Sequence, residues 1–199
     1  MSGTFPTTNF KSINWQSNNN IISSQTLTNK VFTKDLGGHF FSFTLQSVPL
    51  QRSEFGSINA FITTQRGSFD TFTVVPPVIG SSNGTFVNDN TKLPLTGTSN
   101  IGNSSVSVSP TGSGTLKAGD IIKFSNHAKV YMLTADVTLS NGVGNTLNFF
   151  PNLIEQVTNA HTILTDDVPI TVRFVNDSQE FRLGVDNLYQ YELDVAEAF

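Results

Sequence analysis

The sequence predicts a mostly β protein: a β-sandwich or β-barrel with one short helix and a long polar loop or hairpin arm. Three observations carry that expectation. The first is composition: hydrophobic residues make up 37% and charged residues only 13%, against roughly 25% charged in an average globular domain. Asn, Ser, Thr and Gly fill the deficit, and Phe, with 17 copies, is the favoured apolar residue. Thr and Phe suit strands, whereas Asn, Ser and Gly suit turns. The second is alternation at the centre of residues 38–48, GHFFSFTLQSV, the signature of a half-buried strand. The third is a succession of short strand-like segments with turn residues between them, the spacing of sandwiches and barrels.

Taken in order, residues 12–16 (SINWQ) and 19–34 (NNIISSQTLTNKVFTK) read as early strands, the second long and rich in Thr. Within 38–48, Phe41, Phe43 and Leu45 share one face, opposite Phe40, Ser42, Thr44 and Gln46; Pro49 ends the run. Residues 53–65 break the β pattern. Phe55, Ile58, Phe61 and Ile62 fall on a helical stripe, with Ser53 as expected N-cap and Gly67 as terminator after Arg66. Residues 69–75 return to strand and stop at Pro76-Pro77.

Residues 78–115 are rich in Gly, Ser, Asn and Thr, so a single domain spanning 1–199 is expected to carry them as an inserted polar arm or loop. Long unstructured loops are uncommon in compact domains and usually functional. On this reading, deleting 80–112 leaves a folded protein with impaired assembly. Strands resume at Ile121–Phe124 and at Lys129–Leu139, with Asn126-His127 as the turn between them. SNGVGN (140–145) reads as a hairpin turn into the returning strand TLNFFP. VPITVRFV (168–175), an Asn176-Asp177 turn and QEFRLG (179–184) read as another hairpin. The last strand sets Leu188, Gln190, Glu192 and Asp194 against Tyr189, Tyr191, Leu193 and Val195.

Composition also excludes several function classes. Net charge is −4, with no run of Lys or Arg, so the clustered cations that bind nucleic-acid phosphates are missing. The nearest approaches are Lys30 with Lys34 and Lys123 with Lys129. Without cysteine there are no disulfides or thiolate metal sites. MSGTFPTTNF lacks the basic and apolar regions of a signal peptide, and no stretch reaches the roughly 18 apolar residues of a membrane span. A chain made and kept in the cytoplasm is the expectation.

No catalytic constellation emerges. His39, His127 and His161 are dispersed, without HxH or HExxH spacing, and read as turn or edge residues. Adjacent carboxylates such as Asp166-Asp167 point to opposite faces of a strand and read as a turn; Asp70 and Glu155 read as solvated. Gly112-Ser113-Gly114 lacks the Lys-Ser/Thr pair and following helix of a phosphate loop and reads as a flexible turn. The expectation is a non-enzyme with no catalytic, cofactor-binding or metal-binding residues. A carbohydrate-binding sandwich or glycosidase, using Trp15 and nearby Asn or Asp, is the alternative of a different class.

The order of elements carries a resemblance. GHFFSFTLQSVPL, a helix through AFITTQRGSFDTF, a strand ending in VVPP, KAGDIIKFSNHAKVYMLTADV, a strand ending in FFPNL and the closing YQYELDVAEAF are together similar to the tail-tip proteins of tailed bacteriophages, of the distal-tail or baseplate-hub type. The resemblance runs from Phe5 to Phe199, with 78–115 as its point of departure. It implies a virion structural protein of the tail, assembled in the host cytoplasm as a homo-oligomeric ring, commonly a hexamer. Such a ring joins the tail tube to the baseplate hub or fibre proteins, with neither membrane nor sequence-specific nucleic acid as partner. A tail-tube or tube-initiator ring is the alternative within the same class. Low charge suits large interfaces, which are costly to build from desolvated ions.

Overall fold

The structure is a computed structural model and describes residues 3–6, 10–88, 91–184 and 186–199. It is mostly β, as expected, with one helix and several sheets, consistent with a β-sandwich. In place of one domain with an arm, the chain divides into two compact units, one formed by 1–72 with 172–197 and the other by 73–171 with 198–199.

The first half of the chain runs through β1 (Phe10–Asn18), β2 (Ile21–Gln25), β3 (Val31–Asp35), β4 (Phe40–Ser47), α1 (Arg52–Thr64) and β5 (Phe72–Val74). Then come β6 (Ser105–Val108), β7 (Gly114–Leu116), β8 (Ile121–Phe124), β9 (Val130–Leu133), β10 (Val137–Leu139), β11 (Asn145–Phe150) and β12 (Ile163–Leu164). β13 (Ile170–Phe174), β14 (Phe181–Leu183) and β15 (Tyr189–Glu197) close the chain. One sheet has the order β1-β4-β15-β13-β5 with β14 added beside β15; a second has the order β12-β8-β9-β11-β6; β7–β10 and β2–β3 are separate pairs.

In the first unit, β4 buries Phe41, Phe43, Leu45 and Ser47, the face that alternation selects. β15 likewise turns Tyr191, Leu193 and Val195 inward and leaves Gln190, Glu192 and Asp194 exposed. The helix buries Phe55, Ile58 and Ile62. Phe61 is half-buried and meets Phe5 and Phe72 edge-on. The N-cap is Gln51 rather than Ser53; the Glu54 carboxylate accepts the Gln51 N–H at 3.0 Å and so satisfies a donor the helix leaves unpaired. At the far end Arg66 and Gly67 both adopt positive φ. A Cβ on Gly67 would come within 3.0 Å of the Asp177 backbone, so this terminator also admits a close approach of the chain.

Two expected hairpins pair differently. Residues 168–184 do not fold on themselves: β13 pairs with the end of β15, and β14 pairs with its beginning. The expected strand Lys129–Leu139 is broken into β9 and β10. Asp136, between them, accepts the Ala118 N–H and the Lys117 ammonium, which draws the chain toward β7. β10 therefore pairs with β7, while β11 pairs with β9 and β6.

The largest departure concerns 78–115. Phe86, Leu93, Leu95, Val106 and Val108 are buried in one cluster with Leu116, Phe124, Tyr131 and Leu147. Gly84 and Gly114 let the chain touch itself: a Cβ on Gly84 would lie 1.8 Å from the Thr115 carbonyl oxygen, and one on Gly114 2.6 Å from Phe86 Cα. The Asp120 carboxylate, itself buried, accepts the backbone N–H groups of Asn83 and Lys117 and the Ser82 hydroxyl. The segment is a wall of the second unit rather than an arm. Its polar residues satisfy backbone groups that a buried connection would otherwise leave unpaired.

Candidate interaction surface

The exposed arm lies elsewhere. Residues 19–34, expected as one long strand, form the hairpin β2–β3, registered from Ile21 opposite Asp35 to Gln25 opposite Val31. Its turn is built from short polar side chains. Asn29 takes positive φ, a conformation Asn tolerates well. The Asn29 N–H donates to the Thr26 carbonyl, the Thr26 N–H to the Lys30 carbonyl, and the Lys30 N–H to the Thr26 hydroxyl. At the base, the Leu36 N–H donates to the Asn20 carbonyl and the Gly37 N–H to the Asp35 carboxylate.

Every residue from Asn19 to Gly38 is exposed. Among them Ile21, Ile22, Val31, Phe32 and Leu36 are each more than half exposed and Leu27, in the turn, is fully so. Strand alternation puts Ile21 and Val31 on one face and Ile22 and Phe32 on the other, so both faces of the ribbon are partly apolar. Burying one such side chain completely is worth about 1.5–3 kcal/mol, and an isolated two-stranded ribbon is marginal in water. Lys30 rests over the Phe32 ring at 5.0 Å and covers part of it. The sequence contained a signal for this arm: two strand-like runs flank TLTN, and an Asn closes the turn.

Of the residues singled out from sequence, Glu155 and His161 lie close enough to His127 to act on its charge. His39 is buried ahead of β4, with Nε2 2.8 Å from the Ser17 hydroxyl and its ring edge-on to Phe41; it is a packed residue rather than one in an open turn. His127 does lie in a turn, half-buried, and hydrogen-bonds Asn126 and Tyr131. His161 Nδ1 accepts the Thr158 N–H. Asp166 and Asp167 occupy an exposed turn and Glu155 is exposed; Asp70 pairs with Arg66 at 2.7 Å. Gly112-Ser113-Gly114 leads into β7 beside Phe86 rather than forming a free loop.

Trp15 lies parallel to Phe43 at 5.3 Å and 4.9 Å from Phe41, so one ring face is covered. A polar cleft elsewhere in the first unit is lined by Lys11, Gln46, Glu180, Arg182, Glu192 and Asp194. Its charges are of both signs, and the aromatic ring that lines it, Tyr191, is buried, which leaves little platform for stacking a sugar. Among the described residues no group of three or more His, Asp or Glu is placed to hold a metal ion. No described helix is long and apolar enough to cross a membrane.

Residues 78–168, nearly the whole of the second unit, match the family model described as distal tail protein pb9, B domain. That match supports a phage distal tail protein. The segment expected as an inserted arm thus opens the matched region, and the match supports a structural role in a phage tail. No curated protein matches the chain.

Proposed function

We propose that this protein is a non-enzymatic component of the tail tip that assembles with copies of itself into a ring joining the tail tube to the baseplate hub or fibre proteins. The observation that carries the reading is the β2–β3 hairpin, an exposed ribbon with apolar side chains on both faces, on a chain whose other unit matches a distal tail protein domain. A ring of identical subunits uses a heterologous contact, in which one patch of each protomer meets a different patch of the next. A projecting ribbon supplies the first patch. Exposed apolar surface of this kind marks interaction sites on otherwise polar proteins.

The test is electron microscopy and sedimentation of the purified chain, alone and with tails. Closed single rings, lost when Leu27 and Phe32 are both changed to Ser, are the expected result. A protein that stays monomeric at high concentration and never accompanies tails sinks the proposal. Long stacked tubes would reassign it to the tail tube.

A further inference from the structure

The β2–β3 ribbon divides its charges between its two faces. Ile22 stands opposite Lys34 and Ser24 opposite Phe32, so alternation gathers Ile22, Phe32 and Lys34 on one side. Lys30 joins them, with its ammonium over the Phe32 ring. Asp35, opposite Ile21, falls on the other side. One face is therefore apolar and cationic, with no carboxylate, on a chain of net charge −4.

The polar cleft of the same unit has the opposite balance. Phe181 is registered with Tyr191, which sets Glu180 beside Glu192, and Glu192 and Asp194 share the exposed face of β15. Like charges side by side repel, and the cleft holds these three carboxylates against Lys11 and Arg182. Among the described residues no ion pair engages Glu180, Glu192, Lys11 or Arg182, and Lys30 and Lys34 form none either. Next to Arg182 in β14, Leu183 is more than half exposed and adds apolar surface beside the charges.

Ribbon and cleft lie at opposite ends of one strand pair. Asn18 stands opposite Phe40 at the ribbon end and Phe10 opposite Ser47 at the other, where Lys11, Gln46 and Ser47 line the cleft. Lys11 and Asn18 are roughly 23 Å apart along β1. Every residue of 19–38 is exposed, so the ribbon does not rest on the cleft of its own protomer. Each copy thus carries a cationic patch at one end of the strand pair and an acid-rich patch at the other, as a head-to-tail contact requires.

We propose that the Ile22, Lys30, Phe32 and Lys34 face of one copy's ribbon docks on the Glu180, Glu192 and Asp194 side of the next copy's cleft. This docking rests on the self-assembly proposed above and names the patch that receives the ribbon. Charge selects that patch and fixes the register, while burial of Ile22 and Phe32 supplies attraction.

The test is sedimentation of the full chain over a range of concentrations, with melting transitions to establish that each variant folds. Lys30→Glu with Lys34→Glu should raise the concentration for half-assembly by about tenfold or more, and so should Glu180→Lys with Glu192→Lys. All four changes in one chain match the charges again and should bring assembly back toward that of the wild type. Double variants that assemble as the wild type does, or a quadruple variant no better than the doubles, overturn the docking. Rings that still fall apart when Leu27 and Phe32 are changed to Ser then leave the ring reading standing with a different receiving patch. A wild-type chain that stays monomeric overturns both. Rings of the Lys30→Glu, Lys34→Glu variant that form normally but no longer join tails assign the lysines to another tail protein and overturn the docking alone. Should the cleft variant fail to fold, Glu180→Gln with Glu192→Gln takes its place, and unchanged assembly then counts against the docking.

Discussion

Residues 19–38 and 78–115 invert what their compositions suggest. The first carries Ile21, Ile22, Val31 and Phe32 in two strand-like runs rich in Thr, the material of a buried strand, yet every residue in it is exposed. The second is rich in Gly, Ser and Asn, the material of a free loop, yet it contributes Phe86, Leu93, Leu95, Val106 and Val108 to the core of the second unit. Burial follows from what a segment finds to pack against. In 78–115 a few apolar residues, spaced by polar ones, meet the inner faces of β8, β9 and β11, and Gly84 and Gly114 allow contacts that a side chain would forbid. In 19–38 the strands pair only with each other, and their apolar side chains are left for another surface.

The sharpest way to break that comparison is deletion. Removing 80–112 should unfold the second unit, seen as loss of its cooperative transition, because it strips the core cluster of five members and leaves Asp120 without its Ser82 and Asn83 donors. Replacing 21–35 by a short Gly-Asn turn should leave the melting transition nearly unchanged and abolish only assembly. A folded second unit after the first deletion would restore the view of that segment as an arm.

Point substitutions should repeat the contrast at smaller scale. Phe124→Ala, at a fully buried ring packed on Tyr131 and Phe149, should cost about 3–5 kcal/mol in urea denaturation. Phe32→Ala on the hairpin should stay within about 0.5 kcal/mol, as exposed positions generally do. Equal effects would mean that the hairpin packs on its own protomer.

The smallest expected effect is on acid stability, and each unit offers one probe. In the first, hydrogen bonds from the Ser68 hydroxyl and N–H hold the Asp177 carboxyl below its ordinary 3.8. In the second, the Ala118 N–H and then Lys117 do the same for Asp136. A depressed carboxyl contributes stability that is present above its unfolded pKa and is lost as pH falls through the lower folded value. Both contributions should therefore begin to fade below about pH 4 and be gone only below the lower folded values, and Asp136→Asn should flatten the acid limb of the second unit alone. Both groups lie at the surface, so only a slight change in the acid midpoint is expected.

Local chemistry was enough for much of this protein. Composition set the β class, period-two alternation chose the buried face of β4 and of β15, and helical periodicity placed α1 to within a residue at each end. The order of strands and turns carries the likeness to phage tail-tip proteins. These features depend on neighbours a few residues away, and a sequence displays them directly. Tertiary structure alone decided which strands pair, because a ladder joins residues as distant as Phe43 and Val195 and nothing in either strand names its partner. It alone revealed two units, a polar stretch built into a core, and an apolar hairpin left in solvent. Each of those outcomes depends on which distant surfaces meet, and exposure is a property of the assembled chain rather than of the residues themselves.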